Sequence, residues 1–126
     1  MSEHTLYGRL VDSSYDKYTK EHAKLFFLPS FDNLSKNAEN LPLKINFGLT
    51  NLGKVTKVVE VDGDLWIWVS TNWRELIDPC CINGKFKELT FSSTFDGDGA
   101  IKLECISFVE KKSWPNAAET QAHWMP

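Results

Sequence analysis

Long apolar runs, blocks of basic residues and paired cysteines are all missing from this chain of 126 residues. The longest apolar stretch, Leu25 to Pro29, falls far short of the roughly 20 residues that a spanning helix needs, so no membrane insertion is expected. Met1-Ser2-Glu3-His4 carries neither a basic nor an apolar segment, which argues against a secretory leader. Three cysteines make an odd count, and Cys80 and Cys81 are adjacent, a geometry that strains a mutual disulfide. Reduced thiols in an intracellular setting are expected. A metal site would have to join Cys80, Cys81 and Cys105 to a fourth ligand such as His123, without any Cys-x-x-Cys spacing, so no metal is expected. A glycine-rich phosphate loop and a Gly-x-Ser-x-Gly elbow are also missing, and no cofactor is expected. With a net charge of -3 and a pI near 5.6, the chain lacks the basic balance of a nucleic-acid binder.

Aromatic side chains, by contrast, are plentiful: 13% of the residues, five of them Trp. Such residues fill cores and also anchor interfaces. The hydrophobic fraction of 42% and charged fraction of 25% are those of an ordinary globular domain.

Strand signals recur along the chain. His4 to Val11 alternates, and Asp12-Ser13-Ser14 breaks it. Ala23 to Leu28 is a short apolar run stopped by Pro29, and Phe31 to Asn40 suits a short helix or a loop. Leu41, Leu43, Ile45 and Phe47 alternate along one face of a half-buried strand. Asp62-Gly63 separates two β-rich runs, Gly53 to Val61 and Asp64 to Ser70, which predicts a two-residue hairpin turn. Thr71 to Ile77 suits one or two helical turns ending before Pro79. Lys85 to Phe95 and Ala100 to Val109 read as strands joined by the turn Asp96-Gly97-Asp98-Gly99. The acidic turn fails the calcium-loop pattern, since Ala100 and Ser107 occupy ligand positions. The expected fold is mainly β with short helices (α+β), a small closed or partly closed antiparallel β-barrel over residues 1–110, with a C-terminal tail at 111–126 available for docking on a partner.

Catalytic groups are sparse. The imidazoles are His4, His22 and His123, and none lies near a recognisable nucleophile motif. Ser92 and Ser93 point to opposite faces of their strand, so either is a nucleophile only if a base approaches it. This favours a binding or assembly role over turnover. Trp114, Trp124 and Met125 in the tail are candidate partner contacts, as are Trp66 and Trp68. Trp66 and Trp68 share one face of a strand, expected to be the barrel interior. Turned outward with Phe91, they would instead form a base-stacking platform of the oligonucleotide-binding-fold type, with Lys54, Lys57, Lys85 and Lys87 as a basic stripe.

Several segments, in order, resemble one family: Leu6-Tyr7-Gly8-Arg9, Leu41-Pro42-Leu43-Lys44-Ile45-Asn46, Leu52-Gly53-Lys54-Val55, Asp62-Gly63-Asp64-Leu65-Trp66-Ile67, Leu89 to Phe95, Cys105 to Val109 and Trp114 to Ala118. Together they resemble the prohead maturation proteases of tailed phages, relatives of the herpesvirus assemblins. The resemblance implies a nucleophile at Ser92 and a catalytic histidine at the position of Asn46. It puts the acidic residue at Cys105, with Glu104 one step away. Asparagine cannot accept a proton at neutral pH, so the implied base is missing. The resemblance therefore implies a pseudo-protease: a non-catalytic structural or assembly protein of a bacteriophage virion, of the minor capsid or decoration type. Its expected place is the virion or host cytoplasm, and its expected partners are other virion or capsid proteins in an oligomeric assembly. The alternatives are a diverged, active maturation serine endopeptidase using His22 or His4 as base, and a single-stranded nucleic-acid-binding protein.

Overall fold

Alternation of apolar and polar side chains builds the first strand, β1 (His4–Val11), whose Leu6 and Leu10 are fully buried. The computed structural model describes residues 3–26, 28–98, 100–111 and 122–126, with the side chains of 23–26 outside that set. Trp114 and Gly99 therefore lie outside the described residues.

Helix α1 (Ser14–Phe26) follows at once. Asp12 starts it by accepting the Ser14 N–H at 2.9 Å, and the Tyr15 N–H reaches the Asp12 carbonyl at 3.1 Å. Tyr15, Tyr18, Thr19 and His22 form its inner stripe at helical spacing. Tyr15 is fully buried, donates its hydroxyl to the Pro29 carbonyl at 2.7 Å and meets Phe91 edge-on at 5.9 Å. Helix α2 (Phe31–Asn37) is capped by Ser30, which accepts the Asn33 N–H, and buries Leu34.

Strand β2 (Pro42–Ile45) leads into the hairpin of β3 (Gly53–Val61) and β4 (Asp64–Thr71). Its turn residues Asp62 and Gly63 have φ of 52° and 85°, the doubly left-handed turn that matches strand twist. Helix α3 (Arg74–Ile77) continues into a single π-helical turn at Asp78–Ile82 rather than stopping before Pro79. The proline sits in the first turn, where its missing N–H has no intrahelical partner to lose. Strands β5 (Glu88–Phe95) and β6 (Ile101–Val109) pair antiparallel, and β7 (His123–Trp124) returns to β1.

The seven strands form one curled sheet in the order β5-β6-β2-β3-β4-β1-β7. The barrel is open: edge strand β5 faces the inner side of β1 through side chains, not through a hydrogen-bonded ladder. The Cβ that Gly8 lacks would stand 2.6 Å from Leu89 Cδ1, so the missing side chain is what lets β5 approach β1. Nor is the sheet wholly antiparallel, because β2 pairs parallel with β6, a long-range pairing that no local turn announces. The core fills the concave side, with Leu6, Leu10, Leu43, Val55, Leu65, Ile67, Val69, Leu89, Ile106 and Phe108 among its members. Among the described residues, no helix is long and apolar enough to cross a membrane.

Candidate functional site

The register of β5, β6 and β2 collects polar side chains on the outer side of the sheet. Leu89, Phe91, Ile106 and Phe108 belong to the core, so their strand neighbours Thr90, Ser92, Cys105 and Ser107 take the other face. Ser92 pairs with Cys105, Thr90 with Ser107, and Ser107 in turn with Lys44 of β2. A groove of about 670 Å³ opens over this face, lined by Lys44, Phe47, Leu49, Ser92, Glu104 and Cys105 among others.

A bulge shapes the groove. Ser92 pairs with Cys105 but Ser93 pairs with Leu103, which leaves Glu104 as the extra residue. In a regular strand Glu104 and Cys105 would face opposite ways; the bulge lets both border the groove that Ser92 borders. Glu104 is exposed, whereas Cys105 is only 5% exposed. Burial pushes the Cys105 thiol up, with Glu104 adding to the rise, while the Lys44 ammonium and a backbone hydrogen bond at Ser92 act the other way. The rise keeps the thiol protonated at neutral pH, and so poorly nucleophilic.

At the end of β2 the chain departs from the alternation expected through Phe47. Asn46 and Phe47 are both left-handed, with φ of 51° and 54°. The Asn46 N–H donates to the Phe108 carbonyl at 2.7 Å and the Phe47 N–H to Ser107 Oγ at 3.0 Å. The double left-handed step swings Phe47 out of the core series of Leu43 and Ile45, leaving its ring 48% exposed at the groove. Lys44 Nζ donates to the Leu49 carbonyl at 3.3 Å, holding this loop across the groove.

The residue that the end of β2 presents to Ser92's groove is therefore Phe47, not Asn46. Asn46 follows Ile45, which pairs with Phe108, whereas Ser92 pairs with Cys105. That offset of more than three residues along the strand exceeds about 10 Å before the two intervening strand spacings are added. Ser92, Cys105 and Glu104 are brought together; Asn46 is not brought to them. Sequence reasoning missed Phe47 and Lys44 as groove residues, because two consecutive left-handed non-glycine residues leave no periodic signal.

None of the three histidines lines the groove. His22 stacks on Tyr18 at 4.6 Å on α1, and His123 lies 5.6 Å from Tyr7 on β7. His4, at the start of β1, meets Trp124 edge-on at 6.1 Å. Among the described residues, no three His, Cys, Asp or Glu side chains converge as metal ligands. Asp96 uses its carboxylate within its own turn, accepting the N–H groups of Asp98 and Ala100 at 2.9 and 3.0 Å.

The tryptophans take places that the sequence left open or misassigned. Leu65, Ile67 and Val69 are fully buried, so Trp66 and Trp68 face outward, half-exposed on the convex side, and not into the interior as expected. Phe91 is in the core, away from them, and Lys85 and Lys87 precede β5 at the far edge of the sheet. Trp124 folds back onto the body: its Nε1 donates to Asp78 Oδ1 at 2.9 Å, and the Arg74 guanidinium lies 4.8 Å from its ring. Met125 follows it down, donating its N–H to the Thr5 carbonyl at 2.8 Å.

No protein-family model matches this chain, and no curated protein matches it in sequence. A structural match does exist. A room-temperature crystal structure of the Kaposi's sarcoma-associated herpesvirus protease, in complex with an allosteric inhibitor, aligns at a TM-score of 0.54 and 12% identity. The alignment covers 94% of this chain and 77% of that protease. The chain has an assemblin-like fold. At that identity the likeness speaks for the fold alone, which is carried here by an open, curled sheet with the Ser92 groove on its outer side.

Proposed function

We propose that this chain is an assemblin-fold protein without peptidase chemistry that acts through its surfaces, as a structural or assembly protein of a tailed-phage virion of the minor capsid or decoration type. One observation carries the loss of chemistry: the groove that Ser92 borders has Phe47 and Lys44 beside it and no imidazole. A serine hydroxyl is a weak nucleophile without a base to take its proton. Phenylalanine offers none, and lysine is charged near neutral pH unless its surroundings depress it. The virion setting rests on the resemblance to prohead maturation proteases; there the partners are other capsid proteins and the places are virion and host cytoplasm.

A fluorophosphonate probe, which acylates activated serines, tests the reading directly. The purified chain is expected to stay unlabelled and to leave casein intact, while co-sedimenting with capsid shells. Labelling that disappears in Ser92→Ala would overturn it in favour of a diverged, active maturation protease.

A further inference from the structure

The outer face of β3, β4, β1 and β7 is built unlike the rest of the surface. Its outward positions fall into transverse rows set by the register. One row runs Lys57, Trp68, Tyr7, His123, and the next runs Val59, Trp66, Arg9. A third begins Lys54, Ser70, Thr5. The rings adjoin one another: Tyr7 lies 6.2 Å from Trp66 and 5.6 Å from His123. Lys57 Nζ sits 4.5 Å from the Trp68 ring centroid, so the π-face of Trp68 is turned outward and within reach of a charge. Trp66, Trp68 and Tyr7 are each partly exposed, and Lys54, Lys57 and His123 are exposed.

The charge of this face opposes that of the chain. The protein carries -3 overall, yet the charged outward residues of these strands are Lys54, Lys57, Arg9 and Asp64, three cations to one anion. Asp64 is already engaged, accepting from Arg9 at 3.3 Å and from the Ser13 N–H at 2.8 Å. Glu60 pairs with the buried Leu65 and belongs to the opposite side of β3. Glu3, beyond the strand end, borders a neighbouring depression with Lys54.

We infer that this face is a stacking platform for single-stranded nucleic acid, with bases on Trp68, Tyr7 and Trp66 and phosphates on Lys54, Lys57 and Arg9. Two features favour this occupant over a protein. Lysine is depleted from the centres of protein interfaces, whereas here Lys57 lies on the most aromatic row. Rings on an open sheet flanked by cations are the arrangement by which single strands are held without base-specific contacts. Lys57 would exchange its contact with Trp68 for a phosphate, freeing the ring for a base. The inference is independent of any chemistry at Ser92, which lies on other strands.

The test is titration of the full chain with a fluorescein-labelled oligothymidylate at several salt concentrations, read by anisotropy and by quenching of tryptophan fluorescence. The expected result is saturable binding with quenching, weakened about tenfold in Trp68→Ala, since each stacked base contributes on the order of 1–3 kcal/mol. Trp68→Phe, which keeps a ring, should recover most of the loss and guards against a folding defect in the alanine variant. Lys54→Glu with Lys57→Glu should weaken binding and flatten the salt slope by roughly one unit. Failure to bind at low salt overturns the inference. Binding of heparin as tight as that of the oligonucleotide, and indifferent to Trp68→Ala, also overturns it by leaving charge alone. Self-association of the free chain that is abolished by Trp68→Ala would overturn it in favour of a face between copies.

Discussion

Ser92 pairs directly with Cys105 across β5 and β6, and the bulge beside them sets Glu104 at the same groove. A hydroxyl, a buried thiol and a carboxylate thus meet at one place with a lysine, Lys44, acting on the thiol from the third strand. The set has nucleophile types without an imidazole.

The Cys105 thiol should respond to its two charged neighbours in opposite directions. Removing the ammonium in Lys44→Ala takes away a term that lowers the thiol pKa, so it should rise further; Glu104→Gln takes away one that raises it, so it should fall. The pH dependence of iodoacetamide alkylation, followed by mass spectrometry, reads both shifts. At neutral pH, partly exposed Cys80 should react first and the buried Cys81 and Cys105 slowly.

Alkaline pH should destabilise the fold from its buried acids. Burial, with a smaller contribution from Cys80, pushes the Cys81 thiol from 9.0 up to about 12. Burial first and Tyr18 second push the Tyr15 phenol strongly upward as well. Both folded values lie above the unfolded ones, so the unfolded chain gives up its protons first. Their stabilisation is complete below about pH 9 and is lost progressively as pH rises past the unfolded values. Thermal melts between pH 7 and pH 11 should show Tm falling above about pH 9, and less steeply in a Cys81→Ala variant.

Gly8→Ala should destabilise the protein by about 1–3 kcal/mol. The added methyl would meet Leu89 Cδ1 at 2.6 Å and the Ala122 Cα at 3.3 Å, where β5 and the returning tail both press on β1. By comparison, Leu49→Ser at a side chain 99% exposed should stay within about 0.5 kcal/mol of the parent. Denaturant unfolding followed by circular dichroism compares the two.

Trp124→Phe should loosen the C-terminal strand. It removes the indole N–H that donates to Asp78 Oδ1 while keeping an aromatic ring near Arg74. The expected cost is about 1 kcal/mol, with faster amide exchange at Met125, whose N–H is bonded to the Thr5 carbonyl.

Features whose causes lie within a few residues were legible in the sequence. The β3–β4 hairpin is one, because Asp62-Gly63 meets the conformational demand of its turn and the flanking strands announce themselves by alternation. The Ser30-led helix α2 and the β5–β6 pair are others. Helix α1 was hidden because its inner stripe is Tyr15, Tyr18, Thr19 and His22, not the aliphatic residues by which such stripes are recognised.

The sequence by itself determined that the chain is mainly β and that Trp66 and Trp68 share a face, since strand periodicity is a property of the backbone. Which face that is, only the tertiary structure decided: alternation has two phases, and the one that buries Leu65, Ile67 and Val69 in the concave core turns the tryptophans outward. The assembly of the Ser92 groove was likewise a tertiary outcome. It needs a parallel pairing of β2 with the distant β6, a bulge at Glu104 and two left-handed residues at the end of β2. Each is held by long-range hydrogen bonds and packing, and so none of them is written in any local stretch of the chain.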